Sequence, residues 1–202
     1  SETLSWDTRD VRLNTTKGWL LRNTIAVAGA IGTEQYFRTT VDAVYFHSLF
    51  DEFVISVGGS AGIVLPFGST NLRLNNLFFL GGDNLRGFAV AGVGPRDAGT
   101  ADSLGGQFFY ATTAELSFPL YGIPKEFGLM GKAFVDTGSL WGNQATNFGA
   151  SILDSQLMRV ATGIGIQWVS PFGPIRIDYS FPLIQDPWDK TQNFRFSFGT
   201  RF

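Results

Sequence analysis

Nine stretches of this chain alternate apolar and polar residues, and this pattern restricts its possible folds more than any other feature. In the last stretch Phe194, Phe196 and Phe198 share one face, whereas Arg195 and Ser197 share the other. Such alternation is typical of a β-strand with one apolar face and one polar face. The pattern therefore predicts an all-β, antiparallel chain. The predicted strands are 2–12, 17–31, 36–48, 53–66, 107–120, 127–141, 158–170, 174–184 and 193–202.

Strand length distinguishes a soluble sandwich from a membrane barrel. The predicted strands run from ten to fifteen residues, whereas soluble strands average about five to six and membrane-spanning strands need about 9–11. The polar faces also carry bulky charge, as the lumen of a membrane barrel does. These charged residues are Arg22, Arg38, Asp42, Glu115, Lys132, Asp136, Arg159, Arg176, Asp178 and Arg195. We therefore predict a transmembrane β-barrel whose apolar face contacts lipid and whose polar face lines the lumen.

The predicted connections alternate between short turns and long loops. The short turns lie near 14–17, 49–52, 121–126 and 170–174, and the longer, polar loops are 67–106, 142–157 and 185–192. The short loop at 32–35 is an exception on the side of the long loops. Outer-membrane barrels have short periplasmic turns and longer extracellular loops. The alternation therefore places the 67–106 loop on the external side.

Composition argues against several functions. The absence of cysteine excludes disulfides, thiolate metal sites and a cysteine nucleophile. A net charge of −2, with 15 basic and 17 acidic residues, argues against a nucleic-acid partner. His47 is the single histidine, and no zinc spacing, calcium loop or nucleotide-binding loop is present. We therefore expect no catalytic residues, no metal and no cofactor.

Four motifs lie in order along the chain. They are Leu-Gly-Gly-Asp-Asn-Leu-Arg-Gly-Phe at 80–88, Asp-x-Gly-x-x-Trp within 134–141, Trp-Val-Ser-Pro-Phe-Gly-Pro at 168–174 and a Phe-rich terminus at 196–202. Together they resemble the family of outer-membrane assembly factors typified by BamA. The resemblance covers most of 72–202, whereas 1–71 matches in strand pattern alone.

The resemblance implies a larger barrel than this chain supplies. The family has sixteen strands, usually preceded by periplasmic POTRA repeats, so residues 1–202 correspond to its C-terminal nine strands without the POTRA domains. Single-chain bacterial barrels have an even number of strands. We therefore expect an incomplete barrel wall with two unpaired edges.

The resemblance also implies a latch inside the lumen. In the family the Arg-Gly-Phe loop folds inward, and its arginine pairs with acidic residues of the wall. Here the arginine is Arg86, and its expected partners are Asp136 and Glu115, which alternation independently assigns to the luminal face. An unpaired guanidinium in a confined lumen costs several kcal/mol. Gly87 would permit close backbone approach, and Phe88 would anchor against the wall.

The final strand corresponds to the C-terminal β-signal of such proteins. Its expected residues are Phe196, Phe198 and Phe202, with Gly199 weakening a seam between the first and last strands of the barrel. Most outer-membrane barrels end on a Phe-rich strand, so this feature supports the class of protein more than the particular family.

The function implied by the resemblance is the folding and insertion of other β-barrel proteins into the bacterial outer membrane. The implied partners are outer-membrane lipids, nascent β-barrel clients, POTRA domains and accessory lipoproteins. Two alternatives remain. A translocation pore of the two-partner secretion or TamA type shares the Arg-Gly-Phe/Tyr loop. A plain porin lacks both that loop and the Asp-x-Gly-x-x-Trp strand, and would show a large, constitutively open conductance.

Overall fold

The chain forms one long antiparallel sheet in a computed structural model. The structure describes residues 1–12, 14–29, 35–50, 52–67, 72–124, 127–143, 151–170 and 173–199. The strands in these residues are β1 (Glu2–Asp7), β2 (Gly18–Ala28), β3 (Tyr36–Phe50), β4 (Phe53–Pro66), β5 (Gly87–Phe88), β6 (Arg96–Asp97), β7 (Phe108–Pro119), β8 (Leu129–Trp141), β9 (Ile152–Leu153), β10 (Arg159–Ser170), β11 (Gly173–Ile184), β12 (Thr191–Gln192) and β13 (Phe194–Phe198).

The nine longer strands form an up-and-down meander. Their order is β1-β2-β3-β4-β7-β8-β10-β11-β13, so each pairs with the next long strand along the chain. The short strands lie in the connections, where β5 pairs with β12 and β6 with β9. The predicted all-β class and its nine strands are therefore confirmed. Within the described residues β1 and β13 each pair on one side, so the sheet is an open wall.

The two faces of the wall have the polarity of a membrane barrel. On β10, Ile164 is 64% exposed on one face, whereas Gln167 is 6% exposed on the other. Arg159, on the same face as Gln167, is fully buried. Apolar side chains thus point outward and charged side chains point inward, which reverses the soluble arrangement. The described residues include no helix that is long and apolar enough to cross a membrane.

The apolar core lies between the wall and the loop that connects β4 to β7. The loop side of this cluster consists of Leu77, Phe78, Leu80, Leu85, Phe88 and Val93. The wall side consists of Val64, Ala111, Leu140 and Ala161. The loop therefore supplies most of the apolar side chains that the inner face of the wall buries.

The first predicted strand is too long. Strand β1 ends at Asp7 rather than at residue 12. The reason is local turn chemistry at Asp10, whose carboxylate accepts hydrogen bonds from the backbone N–H groups of Val11, Thr16 and Lys17. Aspartate favours such turns because its short side chain reaches neighbouring backbone donors.

Within the described residues, the last predicted strand is shorter than 193–202, and Gly199 follows it. Strand β13 ends at Phe198, and Gly199 follows with a φ of +110°. Its N–H donates to the carbonyl of Pro174 at 2.8 Å. Gly199 thus still bonds to the neighbouring strand β11 through its backbone, and its role in weakening a seam stays a prediction. Residues 200–202, including Phe202, lie outside the described residues.

The assignment of faces can be tested with two adjacent residues of β4. Val57 is outward and half-exposed, whereas Ser56 faces the lumen. We expect Val57→Arg to destabilise the folded protein in lipid by about 2 kcal/mol, because a lipid-facing charge is costly there. Ser56→Arg should cost much less. Urea unfolding in lipid vesicles measures both, and equal losses would contradict the assignment.

Candidate functional site

The connection between β4 and β7 is folded back on itself. We call its described part, residues 72–106, the latch loop. Isolated β-bridges join its first part to its later part, between Phe78 and Gly106 and between Leu80 and Val93. Nearer the tip, the N–H of Gly82 donates to the carbonyl of Phe88 at 3.0 Å. These bonds give the latch loop a defined shape that presents Arg86 to the wall.

Arg86 binds the wall through both ends of its guanidinium. Its side chain is 2% exposed, and its Nε and Nη2 donate to Asp136 Oδ2 and Oδ1 at 2.7 and 2.8 Å. Its Nη1 donates to Glu115 Oε2 at 2.7 Å. The Arg86 backbone N–H also donates to Asp136 Oδ2 at 3.1 Å. A bidentate pair with a second carboxylate is among the strongest arrangements available to arginine.

Three further wall residues, Thr113, Phe134 and Lys132, lie around the Arg86 contact. Thr113 Oγ1 accepts from Arg86 Nη2 at 3.0 Å and donates to Asp136 Oδ1 at 2.6 Å. The Phe134 ring lies beneath the guanidinium, 3.3 Å from its central carbon. Lys132 Nζ donates to Glu115 Oε1. Two cations therefore face two hydrogen-bonded carboxylates, and Asp178 Oδ1 lies 3.9 Å from Arg86 Nη1. These opposite charges make the joint burial tolerable.

The cationic state of Arg86 is secured by these neighbours. Burial alone lowers the pKa of the Arg86 guanidinium. Hydrogen bonds and charge from Asp136 and Glu115 outweigh burial and raise the pKa above its usual value. Arg86 therefore stays protonated in spite of its burial.

Gly87 and Phe88 fit closely against the wall. Gly87 has a φ of +91°, and a Cβ at this position would lie 2.9 Å from the Cβ of Ala161. Phe88 is fully buried in the apolar core. These two residues form β5, which pairs with Gln192 and Thr191. A larger residue at position 87 would therefore push the latch loop away from the wall.

A second buried arginine, which sequence reasoning did not single out, shapes the latch loop itself. Arg96 is 1% exposed, and it donates to the carbonyls of Ala91 and Ala101 at 2.8 and 3.0 Å. Both alanines have positive φ, +52° and +59°. Residues other than glycine rarely adopt this conformation, so Arg96 stabilises two strained points of the loop. The only sequence signal was its place in Gly-Pro-Arg-Asp.

A third buried arginine fixes the loop between β11 and β13. Arg159 is fully buried, and it donates to Asp186 Oδ2 at 2.5 Å and Asp189 Oδ2 at 2.9 Å. It also donates to the carbonyl of Leu157 at 2.7 Å. Sequence reasoning placed Arg159 on the luminal face but did not identify its partners. The available sequence signal for these partners was the pair of aspartates, Asp186 and Asp189, three residues apart.

The predicted seam residues lie away from the latch. Phe196 and Phe198 point outward from β13, on the face opposite to Arg195. The structure thus brings Arg86 together with Asp136 and Glu115, but it does not bring Phe196 or Phe198 to them. No group of three or more potential metal ligands occurs among the residues that the structure describes.

The long strands, the outward apolar face and the inward-folded loop together define the wall of an outer-membrane β-barrel. Comparison with known families identifies the particular group. Residues 1–202 match the Omp85 superfamily domain along their whole length. The chain therefore belongs to the Omp85 superfamily.

Similar proteins include several outer-membrane assembly factors. The chain is 35% identical to the outer membrane protein assembly factor BamA of Neorickettsia risticii over 87% of its length and 23% of the relative's length. It is 29% identical to the BamA of Neisseria meningitidis serogroup B over 99% of its length and 28% of the relative's. A SAM50-like protein of Schizosaccharomyces pombe is 28% identical over 91% of the chain and 40% of the relative. The chain thus spans about a quarter of the length of these BamA relatives.

A solved structure supports the same fold. The crystal structure of BamA from Haemophilus ducreyi lacking POTRA domains 1–3 superposes with a TM-score of 0.86 at 23% sequence identity. The match covers 96% of this chain and 40% of that one. The open wall described above therefore has the fold of part of that barrel.

Removal of one partner of the Arg86 network should be costly. In Asp136→Asn, a docked Arg86 would be buried without its charged bidentate acceptor, and we expect a loss of about 3–5 kcal/mol in the free energy of unfolding. Arg12→Ala, at an exposed arginine of the β1–β2 turn, serves as the control and should cost less than about 0.5 kcal/mol. Urea unfolding in lipid vesicles measures both, and similar small losses would contradict a tightly bound Arg86.

The close approach at Gly87 gives a second prediction. We expect Gly87→Ala to weaken the docking of the latch loop, because it adds both an unfavourable φ and a contact with Ala161. The double variant Gly87→Ala/Ala161→Gly removes the contact but keeps the strained φ, so it should recover part of the loss. Protease digestion of the latch loop in the folded protein measures docking. Equal digestion of wild type and Gly87→Ala would show that the close approach of Gly87 to Ala161 does not determine how well the latch loop docks.

Proposed function

We propose that this chain is part of the barrel of a factor that folds and inserts other β-barrel proteins into the outer membrane, and that the latch loop braces its wall. The observation that carries the proposal is the buried contact of Arg86 with Asp136 and Glu115. The chain belongs to the Omp85 superfamily, and its relatives include outer membrane protein assembly factors. The contact holds a loop against a wall and offers no exposed nucleophile or acid. The proposed work is therefore mechanical support without covalent chemistry.

Strand β13 supplies the proposed means of action. Strand β13 has five residues and pairs with β11 at five positions, whereas β10 and β11 pair at eleven. A short edge strand presents unpaired backbone groups that an incoming strand can bind. A client strand would pair with such an edge, and the braced wall would hold that edge in place.

The proposed organisation extends beyond this chain. Residues 1–202 would form the C-terminal part of the barrel domain, with POTRA domains elsewhere in the same protein. The proposed partners are outer-membrane lipids, client β-barrels and accessory lipoproteins. The names of the curated relatives support assembly over secretion of a partner protein, because they are called assembly factors.

The proposal is tested by client insertion into vesicles that contain the intact protein. We expect Arg86→Ala to slow insertion about tenfold or more, because loss of the pair with Asp136 frees the latch loop and leaves a buried carboxylate unpaired. The matched control is Arg12→Ala, which should insert clients at the wild-type rate.

The possible outcomes separate the parts of the proposal. Wild-type insertion by Arg86→Ala, with the loop shown to be undocked, would refute the bracing role. Failure of the wild-type protein to accelerate insertion of any client would refute the assembly function. Passage of an unfolded partner protein across the vesicle membrane would favour the translocation pore instead.

A further inference from the structure

The latch loop contacts the last strand as well as the Arg86 site. Asp83, three residues before Arg86, accepts at Oδ1 from Arg195 Nη1 at 3.2 Å and from Ser197 Oγ at 3.0 Å. Arg195 and Ser197 are two residues apart on β13, so both lie on its inner face. One carboxylate oxygen of the latch loop therefore binds two successive inward positions of the last strand.

The backbone of the latch loop is shaped for this contact. Gly82 has a φ of +70°, and a Cβ at this position would lie 2.8 Å from Nη2 of Arg195. The arginine side chain thus packs directly on the Gly82 backbone. Arg195 is 12% exposed although its partner Asp83 is 57% exposed, so the loop covers the arginine.

The segment that leads into β13 is bound to the same loop through its backbone. Strand β5 of the latch loop pairs with β12, which immediately precedes β13. The N–H of Ala89 donates to the carbonyl of Lys190 at 2.8 Å, and the N–H of Lys190 donates to the carbonyl of Gly92 at 2.9 Å. The latch loop therefore holds residues 190–197 at their start by backbone bonds and further along by Asp83.

These contacts link two distant parts of the wall. Arg86 fixes the latch loop to β7 and β8, and Asp83 fixes it to β13. Between them lie β10 and β11. The geometry points to Asp83 as a positioning residue that holds the last strand against the docked latch loop and thereby limits how freely that edge opens. This inference deepens the proposed function and rests on it for its role in client insertion.

The expected effect of Asp83 on the opening of β13 follows from the exposure of its carboxylate and from the length of the strand. An ion pair with a half-exposed carboxylate contributes little to global stability. Strand β13, however, has a single paired neighbour within the described residues and only five ladder positions. Short edge strands open locally at low cost, so a weak contact has its largest effect there.

Hydrogen exchange in the intact protein, reconstituted in lipid, tests the inference. We expect Asp83→Asn to speed exchange of the amides of residues 194–198 that pair with β11 by about twofold to fivefold. Exchange of residues 133–137 on β8 should not change, because Arg86 stays bound. Asp97→Asn is the matched control, since Asp97 lies in the same loop and accepts from the local N–H groups of Gly99 and Thr100.

Two further readouts separate an ion pair from a general effect on the loop. The double variant Asp83→Asn/Arg195→Gln should exchange no faster at β13 than the faster of the two single variants, because both remove one interaction. Added salt should speed β13 exchange in wild type but not in Asp83→Asn, because exposed ion pairs are screened.

The outcomes distinguish this inference from the proposed function. Unchanged exchange at β13, or equal increases at β8 and β13, would overturn the role of Asp83 whatever the insertion activity. A selective increase at β13 supports the positioning role. Client insertion by the same variants then reports separately whether freedom of this edge affects assembly.

Discussion

A buried guanidinium must be paired, and the structure depends on how Arg86 meets this requirement. Its two acidic partners come from adjacent strands, β7 and β8, in a register that sets Thr113 opposite Asp136 and Glu115 opposite Phe134. A slip of one residue would turn every side chain of a strand to the other face. The ion pairs of Arg86 therefore form only in this register of β7 and β8, and they in turn stabilise that register.

The latch loop and the wall also share their apolar core. The wall exposes its large apolar side chains on the outer face, so its inner face has few of its own to bury. The loop supplies them, from Leu77 to Val93, and places them against Val64, Ala111, Leu140 and Ala161. A wall without the docked loop would expose these contacts, and the loop without the wall would have nothing to fold against.

Much of this arrangement could be predicted from the sequence. Period-two alternation is a local pattern, so it located the strands and assigned Glu115 and Asp136 to the lumen, while the family resemblance suggested their pairing with Arg86. The contacts of Asp83, Arg96 and Thr113 depend on how a long loop folds in space, which no periodicity encodes. Phe134 interrupts the polar face of β8, but sequence reasoning did not identify it as the ring on which Arg86 stacks. The end of β1 depended on turn chemistry at Asp10.

The Arg86 network holds the latch loop inside the barrel, and a single thiol can test this directly. Residues 1–202 contain no cysteine, so in a protein with any cysteines outside them replaced, one introduced thiol reports on docking. Leu85→Cys places it at a fully buried position of the loop, and Val90→Cys places it at an exposed position nearby as a control. In the intact protein in lipid, Leu85→Cys should resist a water-soluble maleimide until Asp136→Asn is added, whereas Val90→Cys should react rapidly in both backgrounds. Equal reactivity of Leu85→Cys with and without Asp136→Asn would contradict the account.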